Sequence, residues 1–560
     1  MTTATDAAAP APTELTEPRD NKMPSAIWYI ISNEFAERFC FYGINSILAV
    51  YLVQNLQFTD GNAASWQSMF KSGAYFFPLL GAIVSDVFWG KYRTILVFSA
   101  VYAMGCLSLA LFGRTEAALA GSLFLVAFGT GGIKPCVATN VGDQFTSKNQ
   151  HLIERAFSLF YLAINSGSAI AIFTSPIMLT PMAKRPTDGF VGWLGRVLPE
   201  GPQWAFGVPG VMMAVATLVF WFGRSKYAVV PPAGKAWLKE ALSPAGLRLL
   251  GRLSVIYFFV ALFWMLWDQS NGNTWTLQAQ SSLMDKNLGF GVTLLPAQLQ
   301  VVNGLFILAL TPVFTFFVYP VLSRFVAITP LRKIGAGLFT AAVSFIIVGL
   351  IERQILAGNT VSAWWQILAY VVLTMAEVLV SITALEFSYK QAPLRMKSFI
   401  MALFYLSITA GNLGIAGVNK AMVKPVQVSA VESAADQTWV SVGEGSAFEV
   451  NQKIDFTGDN GVTVVDANGT RGLQGTFLVA EVQGSRLRLI NAVDQKPITS
   501  SGAFALKENA QVSTSYLVGP AYFYFFAVVV VVMGFVFIVF ALRYKEQSYM
   551  RDDGAAAVAA

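Results

Sequence analysis

The sequence predicts an all-α membrane protein of twelve transmembrane helices in two six-helix halves, with a small β-rich insert outside the membrane. Three observations carry this. Hydrophobic residues make up 55% of the 560 and charged residues only 12%, about half the charged share of soluble domains. The mean hydropathy of +0.55 is more apolar surface than a soluble globule could hide, and too apolar for a disordered or collagen-like chain. Apolar stretches long enough to cross a bilayer follow one another from residue 27 to 542, interrupted by one polar block at 421–514.

The elements run in order. Residues 1–22, rich in Ala, Thr and Pro, read as a disordered cytoplasmic tail, not a signal peptide. Spans are expected at 27–53, 66–88, 94–113, 117–140, 153–180, 205–223, 249–270, 296–320, 332–352, 363–390, 397–420 and 517–542. The linker 224–250 separates an N-terminal half, 23–223, from a C-terminal half, 251–420 plus 515–545. Its stretch 236–250 has helical apolar spacing with Lys and Arg interspersed, the pattern of an amphipathic helix at the cytoplasmic surface. Two packed halves with a site between them are the plan of a rocker-type transporter. The block 421–514 is polar, Gly-rich and Cys-free. Within it Val462–Val465, Thr476–Val482 and Arg486–Ile490 alternate as strands, and Asn460-Gly461 and Asn468-Gly469 read as hairpin turns. It is expected to be a β-rich extracytoplasmic domain between helices 11 and 12, dispensable for transport because it contributes no intramembrane charge. Asn468-Gly469-Thr470 matches a glycosylation sequon. Residues 546–560 close the chain as a cytoplasmic tail.

Loop charges set the orientation. Sixteen Lys and Arg residues fall on the connections that are inside if the N-terminus is cytoplasmic, against six on the opposite loops. Both termini are therefore expected in the cytoplasm of a multi-pass protein of the bacterial inner (plasma) membrane. The net charge of +6 is spread over short loops, which argues against nucleic acid. Cys40, Cys106 and Cys136 sit in or beside apolar runs, and His151 is the one histidine. A disulfide framework, a His-based metal site and a Ser-His-Asp triad have little to work with. No phosphate-binding G-x-x-x-x-G-K-[ST] loop occurs. No catalytic residue, metal or cofactor is expected.

The informative residues are charges where lipid should be, each costing about 2.5–3.5 kcal/mol at mid-bilayer. Glu34, Glu37 and Arg38 share one face of span one, which Tyr42 and Asn45 extend. Two acids against one base leave an acid free to take a proton, whereas an internal salt bridge would merely satisfy itself. In span four, Gly131, Gly132 and Pro135 permit a local break that presents Lys134 to a cavity; the alternative is a lysine snorkelling to the cytoplasmic interface. Span five carries Asn165, Ser166 and Ser168, and span eight Asn303, as pocket or packing residues. Span seven ends in Trp264, Trp267, Asp268 and Gln269, with Asp268 either deep or near the outer mouth. Span ten carries Glu377 and Ser381, with no basic partner for Glu377 in its own helix. Arg38 and Lys134 form a basic side and Glu377 an acidic side, an asymmetry that suits a small zwitterion. Tyr42, Tyr75, Tyr161, Trp264 and Phe404 are candidate walls. His151 falls in a cytoplasmic loop, so carboxylates must carry protons from outside: Glu34, Glu37, Asp268 or Glu377.

These residues resemble a known family. Glu34 to Gly43 resembles the E-x-x-E-R-F-x-x-Y-G signature of proton-dependent oligopeptide transporters. Gly81–Asp86 with Gly90–Arg93, Gly129–Pro135 with Gly142–Phe145, and Phe160–Ser168 are similar to its second-, fourth- and fifth-helix motifs. Phe263–Gln269 and Glu377–Tyr389 continue the likeness. The resemblance implies a major facilitator fold, importing di- and tripeptides with protons as a monomer. By the same resemblance Arg38 and Lys134 hold the peptide carboxylate. Glu377, Asn165 and Asn303 hold its amino end. Tyr42, Tyr75, Trp264 and Ser381 line the pocket, and Glu34, Glu37, Arg38 and Asp268 couple protons. The complete E-x-x-E-R motif with Glu377 favours peptide over another anion, such as nitrate, or a drug. Family members often carry a basic residue where Asn45 stands, pairing with the seventh helix, so Asp268 is expected to pair differently here. Ser68 stands near the place of a histidine in mammalian members, Ile382 at a usual proline and Phe404 at a common tryptophan.

Overall fold

The computed structural model describes residues 22–146, 148–149, 152–229, 231–232, 243–289, 291–391, 397–434, 437–443, 448–458, 462–466, 469–502 and 511–544. The readings of the terminal tails beyond these bounds, of His151, of 236–242, and of Asn460, Gly461 and Asn468 lie outside the described residues.

Twelve long helices follow one another: α1 Ala26–Gln54, α2 Asp60–Ile83, α3 Lys91–Phe112, α4 Glu116–Asp143, α5 Ile153–Leu179, α6 Pro202–Phe222, α7 Pro244–Ser270, α8 Val301–Val313, α9 Pro330–Leu356, α10 Trp364–Glu377, α11 Lys397–Ala421 and α12 Pro520–Arg543. Helices α2, α8 and α10 are prolonged by π turns at Val84–Trp89, Phe314–Val318 and Val378–Ile382. Among the described residues eleven helices are long and apolar enough to cross a membrane. Helix α1 is long enough, at 29 residues, but Glu34, Glu37 and Arg38 sit in its middle. Two hydrophobic cores form. One gathers Ile44, Phe98, Tyr102, Val126, Phe206 and Phe220 from α1 to α6. The other gathers Phe263, Leu338, Phe345, Leu373, Phe526 and Phe537 from α7 to α12.

Two local expectations are corrected. Helix α4 runs unbroken through Gly131, Gly132 and Pro135. Its glycines serve close packing instead: a Cβ on Gly132 would lie 2.0 Å from the Phe98 ring, and one on Gly81 2.7 Å from Gly132. The expected surface helix over 236–250 also gives way from residue 244 onward. There the chain is already in α7, whose first turn is capped by the Ser243 hydroxyl accepting from Gly246 N at 3.1 Å.

Between α11 and α12 stand ten strands: β3 Val423–Pro425, β4 Val428–Ala434, β5 Gln437–Val442, β6 Lys453–Thr457, β7 Val462–Asp466, β8 Gly469–Gly472, β9 Gly475–Gln483, β10 Arg486–Asn491, β11 Thr499–Gly502 and β12 Gln511–Ser515. A parallel pair, β1 Met284–Asp285 with β2 Val361–Ser362, joins two loops of the second half. Seven strands make one antiparallel sheet, ordered β3-β12-β6-β9-β10-β5-β4, and β11-β7-β8 make a second. Strict alternation on β5, β6 and β10 turns Val440, Ile454, Phe456, Leu487 and Leu489 inward, against Phe477 and Val464.

This β-domain meets the helices through a short polar network. Lys453 Nζ pairs with Asp60 Oδ2 at 2.7 Å, Asp60 N donates to Thr476 Oγ1 at 2.9 Å, and Thr476 Oγ1 donates to Asp455 Oδ1 at 2.6 Å. Burial pushes the Asp455 carboxyl up to about 7. The Thr476 hydrogen bond and Lys453 pull against that rise, and Asp60 adds to it. The folded domain thus keeps this proton to about pH 7, while an unfolded Asp releases it near pH ~3.9. Stability is present below the unfolded value and falls as pH rises through that window. Asp455→Asn should therefore melt above the wild type at pH near 8, with the gap closing towards pH near 4, in thermal unfolding of the full chain across pH.

Candidate functional site

The site starts from α1. Arg38 Nε lies 2.9 Å from Glu34 Oε1 and 2.5 Å from Glu37 Oε2. The spacing that placed these residues on one helix face makes them one cluster, with Glu37 fully buried. Thr130 of α4 donates its hydroxyl to Glu37 Oε1. One turn further along α4, Lys134 Nζ stands 4.1 Å from the centroid of the Phe41 ring and 3.9 Å from that of Tyr75. This ammonium is buried and has no hydrogen-bond partner among the described residues; the two ring faces lie against it, and the Glu37 and Glu34 carboxylates attract it from further off.

An aromatic wall leads from there into the other half. Ring centroids are 6.1 Å apart for Tyr75 and Tyr405, 6.1 Å for Tyr405 and Phe404, 6.4 Å for Phe404 and Trp264, and 5.3 Å for Trp264 and Trp267. Trp267 Nε1 then donates to Glu377 Oε2 at 2.9 Å, and Asn303 Nδ2 donates to the same oxygen at 2.8 Å. Asn303 also reaches Thr374 Oγ1 at 3.0 Å. Glu377 is the last residue of α10 before the π turn, a distortion that often marks functional sites. Its carboxylate has neutral donors in these two contacts.

A second cluster ties the halves at the end of the bundle that carries the β-domain. Lys71 of α2, 2% exposed, lies 3.1 Å from Asp268 Oδ1 and donates to the Asp268 and Asn271 carbonyls at 3.0 and 2.6 Å. Asn412 Nδ2 donates to Asp268 Oδ2 at 2.6 Å. Asn45 Nδ2 donates to Asn271 O at 3.2 Å, and Asn273 Nδ2 to Ser68 Oγ at 2.9 Å. Gly272 has φ +76°, and a Cβ there would lie 2.1 Å from Asn45 O, so the backbones themselves touch.

The structure thus brings Glu34, Glu37, Arg38, Tyr75 and Lys134 to one flank, with Tyr42 stacked edge-on against Phe41 at 5.4 Å. It brings Trp264, Asn303 and Glu377 to the other. Asn165 is not drawn to Glu377: its Nδ2 donates to Tyr161 O of its own helix at 2.8 Å. Ser381 lies half-buried within the π turn. Asp268 lies two residues before the end of α7, near the β-domain end of the bundle, where it is buried and paired with Lys71. The sequence reading missed Thr130, Tyr405, the Trp267 donor and above all Lys71. For Lys71 the signal was available, a lysine inside the expected span 66–88. It replaces, from α2, the cation that Asn45 does not provide.

The model of the POT family matches residues 92–243 and 235–440. The chain belongs to the POT family. It is 36% identical over 373 residues to "Peptide transporter family 1" of Drosophila melanogaster, a match covering 59% of this chain and 48% of that one. It is 35% identical over 376 residues to human "Solute carrier family 15 member 2", covering 59% and 49%. The chain thus matches about half the length of these curated relatives. Among solved structures it is similar to the POT family transporter PepTSo, at 34% identity and TM-score 0.62, covering 71% of this chain and 90% of that one. It is also similar to an auto inhibited POT family peptide transporter, at 27% identity and TM-score 0.66, covering 94% and 99%.

Removing Lys71 strands a buried carboxylate. Lys71→Met should destabilise the protein by about 3–5 kcal/mol, read as a lowered melting temperature. Adding Asp268→Asn should recover most of that loss, because no uncompensated charge remains.

Proposed function

We propose that this POT family chain is a proton-coupled symporter importing di- and tripeptides by alternating access. Its twelve helices would form a major facilitator fold in two six-helix halves, with both termini cytoplasmic and the β-domain outside. The observation that supports this reading is a two-sided array of side chains: Arg38 and Lys134 on one flank, Glu377 with Asn303 and Trp267 on the other, linked by a row of aromatic rings. Arg38 and Lys134 take the peptide carboxylate. Glu377 and Asn303 take the amino end, and Asn165 joins them once its amide leaves the Tyr161 carbonyl. Tyr42, Tyr75, Trp264 and Ser381 line the space for side chains. Relatives named as peptide transporters support the substrate class. The transporter works as a monomer with the proton as its coupling ion.

Coupling follows from competition for one guanidinium. Arg38 pairs with both Glu34 and Glu37, one cation against two carboxylates. A peptide carboxylate drawing on Arg38 leaves one of these acids under-compensated in a low-dielectric site, where protonation is the cheapest remedy. Asp268 offers a second acid whose partner, Lys71, belongs to the opposite half. One charge crossing about 100 mV releases about 2.3 kcal/mol. At about 1.4 kcal/mol per factor of ten, that supports accumulation on the order of fifty-fold.

Two experiments test the reading in proteoliposomes. Glu37→Gln should abolish dipeptide uptake driven by a proton gradient while sparing counterflow, which needs no drive; unchanged driven uptake would sink the coupling role. Wild-type protein should bind a dipeptide roughly ten- to a hundredfold more tightly than its N-acetylated form, the worth of a charge-assisted hydrogen bond. In Glu377→Gln that ratio should shrink towards one. Full discrimination in the mutant would remove Glu377 from the amine site.

A further inference from the structure

The β-domain has two unlike attachments. To the second half it is joined covalently and without slack. Strand β3 begins two residues after α11 ends, β12 ends five residues before α12 begins, and the two strands pair with each other. Tyr516 N donates to Met422 O at 2.8 Å across the neck. Further contacts hold the domain over the same half: Asn451 Nδ2 donates to Leu356 O at the end of α9, and Ser282 N donates to Val493 O at 2.9 Å. To the first half it is joined by non-covalent contact alone, at the corner between α1 and α2. There Lys453 pairs with Asp60, the Asp60 amide donates to Thr476, and Gly475 (φ +100°) packs against the Gln57 carbonyl. The Lys453 side chain is 41% exposed and that of Asp60 25%. A cavity of about 630 Å³ lined by Asp60, Asn62, Trp66, Lys453, Asp455 and Tyr522 adjoins the pair. A polar, partly exposed contact beside a cavity is one that can open.

We propose that the β-domain is a strap, rooted on the second half, that clasps the Gln57–Asp60 corner and holds the outer end of the transporter shut. The inference rests on the alternating-access reading above. Opening outward must part α1 and α2 from α7 and α11, and so must break the clasp or tear the domain from its own neck. The domain therefore biases the cycle, contrary to the dispensability expected from its composition.

The test uses the full chain in liposomes, with spin labels on Arg114→Cys in the first half and Arg353→Cys in the second. Both positions are exposed. Pulsed distance measurements should show the ratio of the longer, outward-open population to the closed one rising about three- to sixtyfold in Lys453→Met/Thr476→Val. That is the range for one half-exposed ion pair plus a hydrogen bond. An unchanged distribution overturns the strap. A complementary variant, Asp60→Cys/Thr476→Cys, places two thiols at the point where Asp60 N meets the Thr476 hydroxyl at 2.9 Å. Once oxidised it should lose the longer population and most dipeptide counterflow, and regain both on reduction. A fully formed cross-link that leaves the distances unchanged overturns the proposal. Wild-type protein that shows two distances but moves no dipeptide would instead remove the transport reading.

Discussion

One largely buried guanidinium, Arg38, holds two carboxylates, and that arrangement governs the candidate site. Ionised side chains at this depth persist only with partners. Four acids, Glu34, Glu37, Asp268 and Glu377, share the helical core with three bases, Arg38, Lys71 and Lys134. The acids outnumber the bases by one. A zwitterionic substrate adds no net charge and leaves the excess in place, whereas a proton removes it. In the symport proposed above, a substrate carboxylate at Arg38 would be coupled in this way to protonation nearby. Lys134 fits the same logic. It is a buried cation set against the Phe41 and Tyr75 faces, with no hydrogen-bond partner among the described residues, and so has much to gain from an arriving anion. Glu377, held by Asn303 and Trp267, stands in the mirrored position for an arriving cation.

Much of this was legible in the residues because membranes make the relevant rule severe. A 20-residue apolar stretch has few alternatives, and Glu34, Glu37 and Arg38 at helical spacing could only meet. Alternation found the strands beginning at Val462 and Arg486, since a sheet with one buried face has period two. What was not legible depended on tertiary partners. The glycines of α4 carry the same composition whether they break a helix or admit a neighbour. Only the approach of Phe98 and Gly81 decides for packing. The π turn after Glu377 has no clear signature in Val378–Ile382. Asn165 was placed by motif, but the nearest acceptor, one helical turn back, claims its amide. Lys71 was overlooked although it obeyed the rule applied to every other charge; its partner lies nearly two hundred positions away, beyond any local pattern.

The end of the bundle that carries the β-domain is closed twice, by different chemistry. The inner closure is dry: Lys71 with Asp268 and Asn412, and Gly272 against the Asn45 backbone. Parting a desolvated charge pair of this sort leaves an uncompensated buried charge, a strongly destabilising step. The clasp at Asp60 is half-solvated, and water can replace each of its partners at little cost. It is also tethered through the neck at Met422 and Tyr516, so remaking it is an intramolecular step at high effective concentration. A weak contact then suffices to bias the resting state, and a strong one would defeat the carrier. Each additional 1.4 kcal/mol or so would cut the outward-open population about tenfold. A partly exposed ion pair at Lys453, beside a cavity, has the strength such a strap can have while still letting the transporter turn over.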